Sequence, residues 1–356
     1  MEPLWGIPHN LIAPFATLYM YAQGITDVQI GLILSAAMVV QVVFSFLGGI
    51  ITDKLGRKFA TVMGDFFGWS IACLVWAVSD NFWLFLIAVL LNSFEQINQT
   101  AWYCLLIEDA NPKSLVGIYT WASIGGLVAV FFAPISGLLI SRFSVIPVVR
   151  VLYCVFAANM LIKAVITYFK CNETRQGKLR KEATKGMLPL QMLLEYRELI
   201  PKILKNKEIL KVLSFSVILH ITNLINGSFF SLYVTQRLGV TERYLAFFPI
   251  LNAVVMLIFM FGIQHRLESI KSNMGRFRIP LWAGLSLYAA MQILLIFTPA
   301  EGLPFITVYV FITAVANALV MPRKDALLQL NIDPKERARI NALIICFTIA
   351  FSSPFG

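Results

Sequence analysis

Long apolar runs separated by short polar stretches make up most of this chain. A helix needs about 20 apolar residues to cross the hydrocarbon core of a bilayer. The hydropathy pattern predicts eleven such helices. They lie near residues 4–23, 28–51, 59–79, 82–107, 115–140, 145–169, 209–234, 244–264, 279–298, 303–322 and from 340 onward.

Composition narrows the class of protein. Hydrophobic residues make up 58% of the chain and charged residues only 13%, with a mean hydropathy of +0.77. An ordinary soluble domain does not have this composition, so we expect an all-α integral membrane protein. The first run begins at Met1 without a basic segment or cleavage site, and this predicts no cleavable signal peptide. The five cysteines show no CxxC spacing and the three histidines lie far apart, so we expect no disulfide framework, metal or cofactor.

Basic residues predict the orientation, because cytoplasmic loops carry the excess of Lys and Arg. With the N-terminus inside, only Arg142, Arg150, Arg237 and Arg243 of the 29 basic residues fall outside. We therefore expect a multi-pass protein of the cell or inner membrane with a cytoplasmic N-terminus. The net charge of +10 indicates attraction to anionic membrane lipids, and we expect no nucleic-acid partner.

One long polar stretch, residues 170–211, holds eleven Lys or Arg against five Glu. It divides the chain into an N-terminal bundle at 1–169, a cytoplasmic basic linker at 170–208 and a C-terminal bundle at 209–356. In the linker, Met187, Leu190, Leu193, Leu194 and Leu204 recur at helical spacings between basic residues. This pattern predicts a basic amphipathic helix at the membrane surface. A plain tether is the alternative.

The two halves resemble each other. Residues 105–113, from Leu105-Leu106 to Asn111-Pro112-Lys113, match residues 327–335, and the proline-containing segment 133–137 is echoed at 353–356 with a slip of two residues. Parallel repeats about an axis along the membrane normal would leave such a pattern, although short proline-containing matches also arise by chance.

A charged loop joins the second and third runs and fits the pattern G-x-x-x-D-[RK]-x-G-[RK]-[RK]. Its residues, called the latch below, are Gly49, Asp53, Lys54, Gly56, Arg57 and Lys58. The glycines allow a tight turn, the aspartate can accept N–H groups from a neighbouring helix end, and the arginine can pair with a carboxylate. We expect these charges at the aqueous face, where such pairs are worth about 1 kcal/mol.

This loop resembles the signature loop of the major facilitator superfamily. The long basic linker and the repeated halves also resemble features of that superfamily. The resemblance implies two six-helix bundles related by a pseudo-two-fold axis along the membrane normal, which alternate access to a central cavity. It also implies a gating role for the latch, with Glu108 or Asp109 as the acidic partner of Arg57. The superfamily normally has twelve spans, so we expect the last span or spans to be truncated at residue 356. An echo of the loop at Gly275-Arg276 is degraded.

Departures from the family's exporters concern two motifs. The arginine that proton-coupled exporters carry in the fourth span is missing from residues 92–98, and the antiporter motif of the fifth span is present only as Ala129-x-x-x-Ala133-Pro134-x-x-Gly137-Leu138. These departures weaken the standard antiport scheme without excluding it.

Polar residues inside the predicted spans are functional candidates, because uncompensated polar groups are costly there. The fourth span carries one polar stripe, formed by Asn92, Glu95, Gln96 and Gln99. The seventh span carries a second, formed by His220, Asn223 and Asn226. Each stripe either lines a cavity or forms hydrogen bonds between helices. Asp65 and Arg150 lie nearer the membrane surfaces, where either could extend toward water.

These observations favour secondary transport of a small organic solute by a monomer, uncoupled or coupled to H+ through Glu95. A receptor or scaffold that kept the fold without transport is the alternative. A membrane-embedded enzyme is the third class, but the sequence contains no H-E-x-x-H pair, no Gly-x-Ser-x-Gly turn and no Gly-rich phosphate loop. We therefore expect no enzymatic activity.

Overall fold

The computed structural model describes residues 1–240, 247–268 and 277–355, and every regular element within them is a helix. Gly275-Arg276 and Gly356 lie outside these residues. The α-helices are α1 (Glu2–Ile12), α2 (Ala16–Ala22), α3 (Asp27–Leu55), α4 (Arg57–Met63), α5 (Ala72–Val78), α6 (Phe82–Asn92), α7 (Glu95–Ile107), α8 (Leu115–Val130), α9 (Ala133–Phe143), α10 (Val145–Lys170), α11 (Arg175–Ala183), α12 (Pro189–Lys205), α13 (Lys207–Leu232), α14 (Phe247–Phe259), α15 (His265–Glu268), α16 (Ile279–Ile296), α17 (Leu303–Leu330) and α18 (Arg337–Ser352).

Within the described residues, eight helical segments are long and apolar enough to cross a membrane, and each corresponds to a predicted run. The other three runs are also helical, but they are interrupted or shorter. A 3₁₀ turn at Ala13–Phe15 divides the first run, Ser93 and Phe94 separate α6 from α7 in the fourth, and α18 has 16 residues. The all-α membrane class predicted from the sequence is confirmed.

Contacts group the chain into two compact units. Unit 1 comprises Met1–Ala110, Phe132–Val217 and Ile332–Ser353, and unit 2 comprises Asn111–Phe131, Ile218–Asn331 and Pro354–Gly356. Each unit takes most of its residues from one half of the sequence and one helix from the other half, α18 and α8 respectively. The boundaries at 169 and 208 follow sequence order instead, and they stay predictions.

In unit 1, the third run packs very closely on α7. A Cβ atom at Gly64 would lie 2.4 Å from Asn98 Cβ, and one at Gly68 would lie 2.9 Å from the Glu95 backbone nitrogen. Small residues permit this approach, which favours helix association where lipid surrounds the protein. Between the two glycines lies Asp65, in a π-helical segment, Gly64–Ile71, that joins α4 to α5. Such segments often occur at functional sites.

The linker forms two helices, α11 and α12. The helix predicted for the linker is therefore present, but its buried face consists of Met192, Tyr196, Leu199 and Ile203. The prediction placed Leu194 and Leu204 on the apolar face of this helix, but both are exposed. The side chain of Leu190 is not among those that the structure describes. The buried face packs against α3 and α18.

Unit 2 is built around α17, which packs on α8, α14 and α16. Gly284 of α16 allows the closest approach, because a Cβ there would lie 2.7 Å from Val320 Cγ2 and 3.0 Å from the Ala316 carbonyl oxygen. The predicted tenth span ends at residue 322, whereas α17 continues to Leu330 with Pro322 inside it. A span tolerates an internal proline when neighbouring groups compensate the lost hydrogen bond.

Candidate functional site

The latch lies at the junction of α3 and α4. Asp53 occupies the last turn of α3, Gly56 turns the chain with φ of +90°, and Arg57 begins α4. Arg57 Nη1 donates to Asp53 Oδ1 at 2.9 Å, and Arg57 Nε donates to Glu108 Oε2 at 3.0 Å and Oε1 at 3.1 Å. These three side chains are buried. The expectation that these pairs have only the small free energy of solvent-exposed pairs is therefore wrong.

Two further arginines converge on the other oxygen of Asp53. Arg180 Nη2 of α11 lies 3.0 Å from Asp53 Oδ2, and Arg339 Nε of α18 lies 3.2 Å from it. Glu195 of α12 pairs with both Arg180 and Arg339. Three carboxylates and three arginines thus form one arginine network in unit 1. It consists of Asp53, Glu108, Glu195, Arg57, Arg180 and Arg339.

Glu173, which precedes α11, caps the start of α4. Its carboxylate accepts the backbone N–H groups of Arg57 at 3.0 Å and Lys58 at 3.1 Å. These groups have no partner inside the helix, and a negative charge at a helix N-terminus is favourable. The sequence interpretation gave this capping role to Asp53, which instead binds arginine side chains. A Cβ at Gly56 would lie only 2.4 Å from Glu173 Oε2, so the cap requires glycine there.

The remaining latch residues have separate partners. Lys54 Nζ donates to the Met187 carbonyl at 3.2 Å, and Lys58 Nζ lies 5.1 Å from the centre of the Tyr168 ring. Asp109 accepts the backbone N–H of Arg175 at 3.2 Å and does not join the arginine network. A Cβ at Gly49 would lie 2.6 Å from Arg339 Cα and 2.7 Å from the Tyr196 hydroxyl oxygen, so this glycine lets α18 and α12 approach α3.

The predicted stripe of the fourth span separates into two kinds of residue. Asn92 Nδ2 donates to the Gly68 carbonyl at 2.6 Å, and Gln96 Oε1 accepts from Ser45 Oγ at 3.3 Å, so these two amides join helices. Glu95 and Gln99 are half-buried. Neither makes a side-chain hydrogen bond within the described part of the chain.

A buried ion pair lies beside this stripe. Asp65 Oδ1 accepts from Asn98 Nδ2 at 2.6 Å and from Lys163 Nζ at 2.9 Å, and Lys163 Nζ lies 5.0 Å from the Trp102 ring centre. Asp65 therefore does not extend to water. Sequence reasoning missed Asn98 and Lys163, although a lysine six residues before the end of the sixth run was a visible signal. The other peripheral residue, Arg150, donates through Nε to the Tyr19 hydroxyl at 3.2 Å.

Unit 2 contains a cavity of about 310 Å³, called the amide cavity below. It is lined by Asn223, Asn226, Phe230, Phe248, Pro249, Asn252, Tyr288, Tyr309, Val310, Thr313 and Asn317. Two residues of the predicted seventh-span stripe, Asn223 and Asn226, are among them, whereas His220 of the same stripe is not. None of these eleven residues is charged at neutral pH.

Hydrogen bonds order the polar groups of the amide cavity. The Tyr309 hydroxyl accepts from Asn226 Nδ2 at 3.3 Å and from Gln292 Nε2 at 3.2 Å, and the Tyr288 hydroxyl donates to Asn223 Oδ1 at 3.3 Å. The Phe230 ring stacks on Tyr309 with centres 5.7 Å apart. The cavity therefore offers neutral donors and acceptors beside aromatic faces.

The described residues contain no group of three or more His, Cys, Asp or Glu side chains placed to hold a metal ion. The arginine network offers ion pairing, and the amide cavity offers neutral hydrogen bonding. These features define an all-helical, multi-pass membrane protein with a charged loop between spans and a polar cavity. Comparison with known proteins specifies the family.

The family profile described as Major Facilitator Superfamily matches residues 6–356. The chain therefore belongs to this superfamily, and it is an integral, multi-pass membrane protein. Among curated proteins, it is 29% identical over 131 residues to the uncharacterized MFS-type transporter YqjV of Bacillus subtilis (strain 168). That alignment covers 36% of this chain and about a third, 32%, of the relative's length.

Solved structures of the same fold cover 99% of the chain. A bacterial homologue of the iron transporter ferroportin, in its outward-facing state, aligns with a TM-score of 0.71 at 15% identity over 88% of its own length. The proton:xylose symporter XylE bound to 6-bromo-6-deoxy-D-glucose aligns with a TM-score of 0.69 at 14% identity over 85% of its own length. The human organic anion transporter MFSD10 aligns with a TM-score of 0.68 at 14% identity over 89% of its own length. These likenesses confirm the major facilitator fold.

Proposed function

We propose that this protein carries a small, polar, uncharged organic solute across the membrane by alternating access, and that its transport is coupled to H+. The bundles that rock in this cycle would be the predicted ones, at 1–169 and 209–356, with a cytoplasmic N-terminus. The observation that supports the solute class is the amide cavity, whose lining is wholly neutral.

The amide cavity suits such a solute for three physical reasons. Its volume of about 310 Å³ lies at the lower end of the range of small-molecule sites, about 300–1,000 Å³. Because the Tyr309 oxygen already accepts two N–H groups, its own hydrogen is available to a solute acceptor. Aromatic faces supply apolar contact for the rest of the molecule.

We assign the gating role to the arginine network. Buried charges that lose their partners are strongly unfavourable, so the network has an intact and a broken arrangement with few stable intermediates. It links α3 and α4 to the linker helices and to α18, so movement of any of these elements must break ion pairs. The basic linker would also face anionic lipid headgroups.

We assign proton coupling to Glu95. It is half-buried in the fourth predicted span and makes no side-chain hydrogen bond within the described residues, so its carboxyl group is free to gain or lose a proton. Glu95→Gln keeps size and hydrogen bonding but cannot titrate. In liposomes it should abolish accumulation driven by a proton gradient and leave solute exchange intact. Gradient-driven accumulation that survives in this variant would contradict the assignment.

The solute class is tested by ligand-induced stabilisation of the purified protein, since a ligand that binds the folded state raises the unfolding temperature. The probes are neutral sugars, including 6-bromo-6-deoxy-D-glucose, with organic anions, organic cations and Fe²⁺ as charged contrasts. We expect neutral probes to stabilise the protein. Asn226→Ala should weaken that binding about tenfold or more, the effect of losing about 1.4 kcal/mol, and the exposed control Asn172→Ala should not.

Stabilisation by charged probes alone would refute the solute class. Uptake of the stabilising probe into liposomes then separates transport from the receptor or scaffold alternative. Binding without any flux, in either direction and with or without a gradient, would favour that alternative.

A further inference from the structure

The buried pair Asp65–Lys163 has an unusual hydrogen-bond pattern. Both donors to Asp65, from Asn98 and Lys163, reach the same oxygen, Oδ1. Asp65 Oδ2 and Asn98 Oδ1 are buried without a hydrogen-bond partner among the described residues. A buried acceptor without a donor is unfavourable, so two neighbouring unpaired oxygens mark a position where an added proton would be stabilised.

Asn98 is suited to either protonation state of Asp65. Its amide carries N–H donors and a carbonyl acceptor side by side. The amide donates to an ionised Asp65, as in this structure. When Asp65 is protonated on Oδ2, the unpaired Asn98 Oδ1 can accept that O–H while Asn98 Nδ2 keeps its hydrogen bond to Asp65 Oδ1. The close packing of Gly64 on Asn98 keeps the two side chains adjacent in both cases.

Lys163 acts on two carboxyl groups. It binds Asp65 directly, and its charge also acts on Glu95, which lies next to Gly68 on the facing helix. Its contact with the Trp102 ring face stabilises the ammonium group through the ring's quadrupole. Trp102 and Glu95 lie on the same helix, α7, so the helix that Lys163 contacts also carries a second carboxyl group.

Few other charged groups face Asp65. Its π-helical segment packs against α10, which supplies Lys163, and against α7, which supplies Glu95. From α1, Glu2 acts on Asp65 through its charge and accepts the Trp102 indole N–H at 3.0 Å. The segment also packs on α5 and α6, which carry no charged residue, and on α4, whose charged residues are in its first turn.

We propose that Asp65 is a second proton-binding site and that Lys163 moves between Asp65 and Glu95 as the two carboxyl groups exchange protonation states. When a proton from water binds Asp65 Oδ2, an O–H bond forms and the carboxylate becomes neutral. Lys163 keeps its three protons and pairs with ionised Glu95. When Glu95 takes up a proton instead, Lys163 returns to Asp65, which has released its own. This inference rests on the proposed proton coupling and supplies its internal counter-charge.

The test is infrared titration of the purified full chain in detergent, since the C=O stretch of a protonated carboxylic acid is distinct from that of carboxylates and needs no solute. The variants are Asp65→Asn, Glu95→Gln and Lys163→Gln, with Asp80→Asn as an exposed control. We expect two pH-dependent bands from buried carboxylic acids. Asp65→Asn should remove one, Glu95→Gln the other, and Lys163→Gln should change the pH midpoints of both.

A spectrum unchanged by Asp65→Asn would show that this group binds no proton, and a midpoint change confined to one band in Lys163→Gln would show that the lysine is not shared. If Asp65→Asn does not fold because Lys163 is left unpaired, the double variant Asp65→Asn/Lys163→Gln removes both charges and must still lack the Asp65 band. Because no solute is present, both results stand apart from the transport assays. Two intact bands in a protein that carries no tested solute would refute only the proposed function.

Discussion

The arginine network of unit 1 and the amide cavity of unit 2 place polar groups inside the same fold in opposite ways. In the network, the buried Arg57 is neutralised by Asp53 and Glu108 at hydrogen-bonding distance. In the cavity, neutral amides and phenols such as Asn226 and Tyr309 bond to one another at 3.2–3.3 Å beside open space. One region excludes solvent around full charges, and the other leaves neutral groups accessible.

This difference indicates different tasks. Removing one partner from a buried ion pair costs about 3–5 kcal/mol, because the other charge is left without compensation. A neutral hydrogen bond contributes only about 0.5–1.5 kcal/mol. The network is therefore suited to holding helices in defined arrangements. The cavity can exchange its internal hydrogen bonds for those of a solute at little cost.

The strongest test of the comparison is Arg57→Met. This change leaves Asp53 and Glu108 buried with fewer counter-charges, and we expect it to destabilise the protein by about 3–5 kcal/mol. Denaturant unfolding in detergent measures the effect. The neighbouring Lys58→Met is the matched control and should cost less than about 1 kcal/mol. Equal losses in the two variants would mean that burial of the network contributes nothing.

The second test concerns backbone approach around the network. Gly49→Ala places a Cβ 2.6 Å from Arg339 Cα and 2.7 Å from the Tyr196 hydroxyl, and such overpacking costs about 1–3 kcal/mol. Gly31→Ala in the same helix meets no atom within 4 Å and should be neutral or slightly stabilising, since alanine favours helix more than glycine. Wild-type stability in Gly49→Ala would show that α18 and α12 can move away freely.

The neutral side of the comparison is tested by Tyr309→Phe. The Asn226 and Gln292 amides lose their common acceptor, but they border a cavity that water can enter. We expect a loss of about 1 kcal/mol in stability, with weaker binding of the neutral solute probes. A loss as large as that of Arg57→Met would show that Tyr309 supports the fold of unit 2 more than it serves a solute.

The sequence predicted the features formed by residues close together in the chain, and it did not predict the contacts between distant residues. Apolar runs are local, so the helices were predicted, and Asp53 and Arg57 lie one helical turn apart within a single motif. Glu108 was expected as a partner of Arg57 only because the resemblance to the superfamily implied an acidic residue there. Arg180, Glu195 and Arg339 join the same site from the linker and from α18, and no spacing rule connects charges more than 100 residues apart.

The buried pair beside the fourth span was missed for a related reason. The predicted stripe on this helix covers an arc of about 100° that includes Glu95 and Gln99, and Asn98 lies about 60° outside it. Asn98 faces Asp65 because Gly64 lets the third and fourth runs touch. A helical wheel of one helix carries no information about where its neighbour has a glycine.

The smallest expected effect belongs to Lys202, which pairs with Glu336 at the surface of unit 1 while more than half of its side chain is exposed. The hydrogen bond and charge of Glu336 raise the pKa of Lys202 above its ordinary value. A group whose pKa is raised by folding stabilises the protein below its unfolded pKa, about 10.4 for lysine, and loses that contribution as pH rises through the folded value. Lys202→Gln should therefore cost less than about 1 kcal/mol at neutral pH and should be further weakened by salt. The difference from the unmodified protein should vanish in strongly alkaline buffer. A larger, salt-independent loss would show that this exposed pair contributes to stability in the same way as the buried arginine network.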